Sequence, residues 1–319
     1  MTKRKKIALS LTAVLSALLL GFACFFGVQY YRKSRIVFNI KDTLPDGGGK
    51  RAQVIILAGQ SNASGCSLDE YLKKNVSEEK YAEYQNGYDN VYINYLSGAN
   101  QSEEFVKCAT LQGEIANSFG PELGLAEKLH ELYPDETFFI VKCAWGGSNL
   151  FEQWLSPSSK GKTGELYKQF ATYVETSVEY LKSKNYDVQI EGMCWMQGES
   201  DSFSMKNSEQ YGEHLNNLIT DVRKRFAKYA AANGIAFVDA YIAPNPTYWV
   251  YYEGVNRGKD EVAKLSVMNV LVDTISAGLD SSQEPEDAPD LPHYDSMSEI
   301  KLGHLFAEEL AAFLDETEK

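Results

Sequence analysis

The sequence predicts an α/β fold, a doubly wound parallel sheet with helices on both faces. Two observations carry that expectation. Short apolar runs rich in β-branched residues, as strands buried on both faces require, recur between residues 53 and 272. Stretches with the 3.6-residue period of amphipathic helices separate them, and strands alternating with helices imply a parallel sheet. No repeat and no second apolar core interrupts the pattern, so one domain of roughly 270 residues is expected.

The first strand is Gln53-Val54-Ile55-Ile56-Leu57-Ala58, closed by Gly59. Thr137-Phe138-Phe139-Ile140-Val141 is the second, Ile190 to Met196 the third, Ile235-Ala236-Phe237-Val238 the fourth and Val270-Leu271-Val272 a fifth. A helix from about Glu165 places Phe170, Val174, Val178 and Leu181 on one face. The next carries Tyr211, Leu215, Leu218, Val222, Phe226 and Tyr229, and Gly234 is expected to stop it as an αL cap. A last helix opens with Ser296-x-x-Glu299, a capping-box pattern, and buries Leu302, Phe306, Leu310 and Phe313. Residues 62–118 and 241–260 read as long loops.

The composition suits such a domain. The 319 residues are 44% apolar and 24% charged, which excludes a disordered, collagen-like or small disulfide-stapled chain. Charge is unevenly placed. Residues 1–35 hold seven bases and no acid, and setting those bases aside leaves 24 Lys and Arg against 44 acids, a net of −20. So acidic a body repels phosphate backbones, so nucleic acid is excluded as a partner.

Ile7 to Val28 is an uncharged apolar run of 22 positions, long enough to cross a bilayer as a helix. Four bases precede it, and Tyr30, Tyr31, Arg32 and Lys33 follow it. Residues 1–35 therefore read as a cytoplasmic basic tip and a transmembrane signal anchor, with the remainder outside the cell. The alternative is a cleaved leader and a secreted domain, although Ala23-Cys24-Phe25-Phe26 makes a poor cleavage site. Residues 36–51, with Pro45-Asp46-Gly47-Gly48-Gly49, read as a flexible tether to a domain at 52–319. The cysteines form no framework, though Cys66 and Cys108 could pair in an oxidising exterior. No CxxC or HExxH is present, and neither a metal nor a cofactor is expected. Gly161-Lys162-Thr163 lacks the earlier glycine of a phosphate loop.

Ligands of such sheets bind beyond the carboxyl ends of the strands. The first strand ends in Gly59-Gln60-Ser61-Asn62, which projects a serine hydroxyl into the crevice. The second ends in Trp145-Gly146-Gly147-Ser148, whose glycines free the backbone to aim amide groups at a ligand. The third ends in Trp195-Met196-Gln197-Gly198-Glu199-Ser200-Asp201, where polar groups crowd an apolar strand end. Near the C-terminus, Asp290-Leu291-Pro292-His293 puts a carboxylate three residues before a loop histidine. There it can fix the tautomer and leave the second ring nitrogen to act as a base toward a serine.

Together these blocks resemble the SGNH-type hydrolases, in the branch of sialate O-acetylesterases and carbohydrate acetyl esterases. The likeness spans about 53–314, and the Gln-Gly-Glu-Ser block is its most specific part. Residues Asn62-Ala63 after Ser61 do not fit the G-x-S-x-G elbow of the α/β-hydrolases. The resemblance implies a flavodoxin-like three-layer α/β/α sandwich and a serine esterase removing O-acetyl groups from a carbohydrate. It implies Ser61 as nucleophile, His293 as base and then acid, and Asp290 as the orienting carboxylate, with Glu199 as a second acid that could share or replace that role. It implies an oxyanion hole of the Ser61 and Gly147 amides and the Gln197 side chain, with Gly146 as an alternative donor. Gln60, Asn62 and Trp154 are candidate substrate contacts, and Trp145 and the cluster Tyr248-Trp249-Val250-Tyr251-Tyr252 are candidates for stacking on sugars. Two other readings use the same crevice: a non-catalytic surface glycan binder, and an SGNH esterase acting on lipids or thioesters.

Overall fold

The computed structural model describes residues 38–314. Its main sheet contains six parallel strands: β1 (Arg51–Gly59), β2 (Val91–Ser97), β3 (Phe138–Ala144), β4 (Asp187–Met196), β5 (Ala236–Ala240) and β6 (Asn269–Val272). Their spatial order is β2-β3-β1-β4-β5-β6, and two short antiparallel pieces, Asn100–Gln101 and Val106–Lys107, extend the sheet beside β2. The chain builds one flank with β2 and β3, then crosses β1 to build the other with β4, β5 and β6. β1 therefore lies where the winding reverses, the place at which open α/β sheets bind ligands. Gly59 pairs with Ala144 on one side and with Met196 on the other, so β1, β3 and β4 end level.

Gly59 is what allows the chain to leave β1 there. Its φ of +143° suits glycine, and a Cβ would lie 1.9 Å from the Met196 carbonyl oxygen. The short helix α1 (Ser61–Ser64) follows at once. The other helices are α2 (Asp69–Asn75), α3 (Glu78–Asn86), α4 (Glu122–Leu132), α5 (Glu165–Ser183), α6 (Met205–Arg225), α7 (Tyr252–Ala263) and α8 (Ser296–Leu314). β4 shows the layering. A Cβ on Gly192 would meet Leu310 of α8, whereas Trp195 meets Tyr211 of α6 and the ring of Trp154. Side chains three apart on a strand point to opposite faces, so α8 and α6 cover the two sides of the sheet.

All five expected strands form, and three of the expected helices occupy α5, α6 and α8. Several expectations change. The supposed loop 62–118 contains β2, α2 and α3, and 241–260 contains most of α7. α6 stops at Arg225, nine residues before Gly234, which instead makes a tight turn with Ala231. The capping box does not form. Glu284 accepts from the Ser296 N–H (2.6 Å) and hydroxyl (2.8 Å), while Glu299 turns into the core with neither carboxylate oxygen hydrogen-bonded among the described residues.

Residues 38–50 are a strap rather than a flexible spacer. The Thr43 and Leu44 N–H groups donate to the Tyr180 hydroxyl at 3.2 and 3.1 Å. Gly47 and Gly49 donate to the Lys184 and Asn185 carbonyls at 2.6 and 2.8 Å, and Leu44 is buried. Cys66 and Cys108 are both free thiols, the latter donating to the Glu122 carbonyl at 3.3 Å. The anchor expected at Ile7–Val28 lies outside the described residues, among which no helix is long and apolar enough to cross a membrane.

Beneath the crevice sits a cluster of buried charges. Lys142 on β3 donates to Glu122 on α4 at 2.7 Å, with both side chains fully buried. Glu122 also accepts from the Gly120 N–H at 2.9 Å. Burial, helped by the nearby Glu122 charge, pushes the Glu299 carboxyl well above the usual range, which favours its neutral form beside the pair. An isolated buried charge is far costlier than a paired one. Lys142→Met is accordingly expected to lower unfolding free energy by about 3–5 kcal/mol, and adding Glu122→Leu to restore most of it. Urea unfolding of the two variants measures this; a single variant as stable as the unmodified protein would contradict it.

Candidate active site

The level ends of β1, β3 and β4 carry the three loops expected to hold the chemistry. Ser61 opens α1, and its own N–H makes no hydrogen bond among the described residues, since the first amides of a helix have no partner within it. Gly147, at φ +65°, is exposed, and its N–H likewise has no partner among the described residues. Gly146 is excluded as the alternative donor because its N–H donates to the Glu114 carboxylate at 2.8 Å. The same oxygen of Glu114 accepts from the Ser64 hydroxyl at 2.5 Å, tying the loop after β3 to α1.

The His293 loop arrives from 230 residues away and is received by Asn62 and by Ser67, whose hydroxyl donates to the Tyr294 carbonyl at 2.7 Å. Asn62 Nδ2 donates to the Pro292 carbonyl at 3.5 Å, and Asn62 Oδ1 accepts from the Tyr294 N–H at 3.1 Å. His293 is thus pinned by its two neighbours to the residue after Ser61. Its Nδ1 hydrogen-bonds Asp290 Oδ2 at 2.6 Å, and its backbone N–H closes a turn on the Asp290 carbonyl at 2.9 Å. The acid three residues before the histidine is therefore the one holding the ring, which leaves Nε2 as the second functional nitrogen. Glu199 takes another part. Its Oε1 accepts from Asn62 Nδ2 at 3.0 Å, so it braces the brace. Burial raises its carboxyl above the ordinary range, against the pull of its own backbone N–H, Lys259, Asn62 and His293.

Gln197 is not available as an oxyanion donor. Its Nε2 donates to Asp201 Oδ2 (2.7 Å) and to the Ser148 carbonyl (3.0 Å), and lies 3.2 Å from Gln60 Oε1. Its Oε1 accepts from the Tyr211 hydroxyl at 2.9 Å, and the side chain is wholly buried. An amide has two N–H donors, and both are used internally. Gln60 and Asn62 are structural for the same reason. Gln60 Oε1 also accepts from the Gly198 and Ser200 N–H groups at 3.4 and 3.2 Å, which shapes the turn after β4. Trp154 is a core residue and not a sugar platform. It is 0% exposed, its Nε1 donates to Ser148 Oγ, and its ring packs edge-on against Trp195 and Phe170. Trp145 is also buried.

Two acids that sequence reasoning did not assign hold the loops. Glu114 offered no signal beyond being an acid in a segment read as loop. Asp201 stood within the recognised block, yet its partners lie 50 residues back: its carboxylate accepts from the Leu150 and Phe151 N–H groups at 2.8 and 3.1 Å. It thereby fixes the segment that follows Gly147.

The strand ends thus bring together a serine after β1, an open amide at Gly147 on the loop after β3, and an Asp290–His293 pair clasped to the residue that follows the serine. The family model for sialic acid-specific acetylesterases, a group of carbohydrate esterases, matches residues 51–312, and the chain belongs to that family, a class of carboxylic ester hydrolases. The fold is similar to that of NanS (17% identity, TM-score 0.62, covering 86% of this chain and 99% of that one). It is similar also to an Arabidopsis thaliana protein (20%, 0.58, 85% and 100%) and to a carbohydrate acetylesterase from Xanthomonas citri (14%, 0.55, 83% and 56%). At such identities the likeness is one of fold. No curated protein matches the sequence.

Asp201 gives the site a pH signature. Burial raises its carboxyl to about 6 despite the hydrogen bonds from Leu150, Gln197 and Phe151. A raised carboxyl binds its proton more tightly when folded, so its contribution is full below the unfolded value near 4 and is lost as pH rises through 6. Asp239 is raised to about 6 as well, so only a difference between proteins isolates Asp201. Unfolding free energy from pH 4 to 7 should fall more steeply in the unmodified protein than in Asp201→Asn, by on the order of 2–3 kcal/mol over the window. Parallel curves would refute the assignment.

Proposed function

We propose that the chain is a serine esterase that removes O-acetyl groups from a carbohydrate. The observation that carries the reading is the double clasp of Asn62 on Pro292 and Tyr294, which brings an Asp290-oriented imidazole to the residue next to Ser61. Ser61 Oγ attacks the acetyl carbonyl and passes its proton to His293 Nε2. Asp290 on Nδ1 keeps the tautomer that makes Nε2 an acceptor and then stabilises the imidazolium. The carbonyl oxygen becomes an oxyanion between the Ser61 and Gly147 N–H groups, a two-donor hole without Gln197. Collapse of the intermediate breaks the ester C–O bond, and His293 returns the proton to the departing sugar oxygen. Water, activated by the same imidazole, then releases acetate from Ser61 and regenerates the hydroxyl.

Family membership and the fold shared with an acetylesterase support a short acyl group and a sugar alcohol. The apolar run Ile7–Val28 between basic flanks supports a single-pass membrane anchor with the domain outside the cell.

With residues 1–35 removed, the protein is expected to hydrolyse p-nitrophenyl acetate and to release acetate from acetylated glycans, favouring acetyl over octanoyl esters. Ser61→Ala should lower kcat by about 10⁴-fold or more. A variant retaining the unmodified rate would remove Ser61 from the mechanism. Asn62→Ala should lower kcat by roughly 10²-fold, since ring displacement of about 1 Å costs that much, and should lower unfolding free energy by about 1–3 kcal/mol through the buried partners it leaves unpaired. Equal kcat for Asn62→Ala and the unmodified enzyme would show that the clasp does not position His293.

A further inference from the structure

The loops that leave β4 and β5 at the catalytic edge carry an aromatic ledge that the chemistry above does not use. Phe203 closes the 3-10 turn Asp201–Phe203, two residues beyond the acid that fixes the Gly147 loop, and is 60% exposed. Its ring meets Trp249 at 5.4 Å and 61°, and Trp249 meets Tyr248 at 6.1 Å. Trp249 is only 7% exposed and acts as the pillar, while Tyr248 at 39% forms the second open face. Met205 and Val250, close by in the chain, are exposed as well.

The ledge is rigidly presented and continuous with the site. The Tyr251 N–H donates to the Ser202 carbonyl at 2.9 Å, and the Ser208 hydroxyl donates to the Tyr251 carbonyl at 2.6 Å. The Ser202 hydroxyl donates to the Glu199 carbonyl at 2.7 Å, so the ledge is built on the turn that also holds the Asn62 brace. A core aromatic would be covered, and a flexible surface aromatic would not be clasped to the catalytic turn. Open rings held in place beside a polar crevice fit a ligand that is polar at its edges and apolar on its faces, as pyranose rings are.

We infer that Phe203 and Tyr248, propped by Trp249, form a subsite that stacks on a second sugar ring of the substrate, so that the enzyme acts on acetyl groups carried by an oligosaccharide in preference to a single sugar. This inference rests on the acetylesterase reading above and names its substrate class. Phe151, on the loop after β3, is not part of the platform, because the Lys206 ammonium lies over its ring at 4.6 Å.

The test compares kcat/KM on acetylated xylotetraose, on acetylated xylose and on p-nitrophenyl acetate. The unmodified enzyme should prefer the tetrasaccharide over the monosaccharide about tenfold or more. Phe203→Ala with Tyr248→Ala should cut that preference roughly tenfold, chiefly through KM. Val267→Ser, at an exposed apolar position before the opposite end of the sheet, should leave it unchanged. An enzyme that cleaves p-nitrophenyl acetate but treats tetrasaccharide and monosaccharide alike would overturn the subsite and leave the esterase standing. Failure to cleave p-nitrophenyl acetate would instead strike at the role of Ser61. A preference unmoved in the double variant, together with a dimer lost in sedimentation, would assign the ledge to self-association and overturn the inference.

Discussion

The carboxamide of Asn62 donates to Glu199 and to the Pro292 carbonyl and accepts from the Tyr294 N–H, joining the end of β1, the turn after β4 and the loop before α8. Every partner is a neutral dipole or a buried acid, and the side chain itself is buried. In that low-dielectric setting an unmade hydrogen bond leaves a desolvated group, so the three segments hold one another in register. The Asp290–His293 pair is local and would form in many loops. Its position beside Ser61 is not local, and is set by this amide together with the Ser67 hydroxyl, which donates to the Tyr294 carbonyl at 2.7 Å.

The same logic recurs around the site. Glu114 bonds Ser64 and Gly146, Asp201 bonds Leu150, Phe151 and Gln197, and Gln60 bonds the turn at 197–200. Polar side chains that look like substrate contacts are in fact scaffolding, and the groups left open are backbone N–H at Ser61 and Gly147. Burying such acids costs stability, as the raised carboxyls of Asp201 and Asp239 show. Fixed donors that need no rearrangement when charge develops are the return on that cost. Lys259 holds Asp239 at 2.6 Å in the layer below and lies over the Tyr211 ring, so the scaffold is continuous from β5 to Gln197.

Much of the fold was legible because its signal is local. A strand buried on both faces is a run of β-branched residues whatever its neighbours, and a helix shows its period within a few turns. β2 escaped notice because Tyr92, Asn94 and Tyr95 interrupt its apolar run, and Asn94 is buried only through bonds with Ser177, Tyr173 and Ser102 from other elements. Glu299 has the spacing of a capping box, but the core took the carboxyl inward and Glu284 supplied the cap from the loop before it. Trp154 has the composition of a sugar platform, and only the packing of Trp195 and Phe170 around it shows otherwise.

By itself the sequence determined the alternation of strands and helices, the placing of Ser61, Gly147 and the Gln197 block at strand ends, and the Asp-x-x-His turn. Each follows from bonding or burial within a few residues. Tertiary structure alone decided which glycine offers a free amide, which carboxylate holds the imidazole, that the Gln197 amide is spent inside, and which aromatics stay open. Those outcomes are competitions among groups far apart in the chain for the same few hydrogen bonds and the same buried space, and only the assembled sheet sets who is near enough to win.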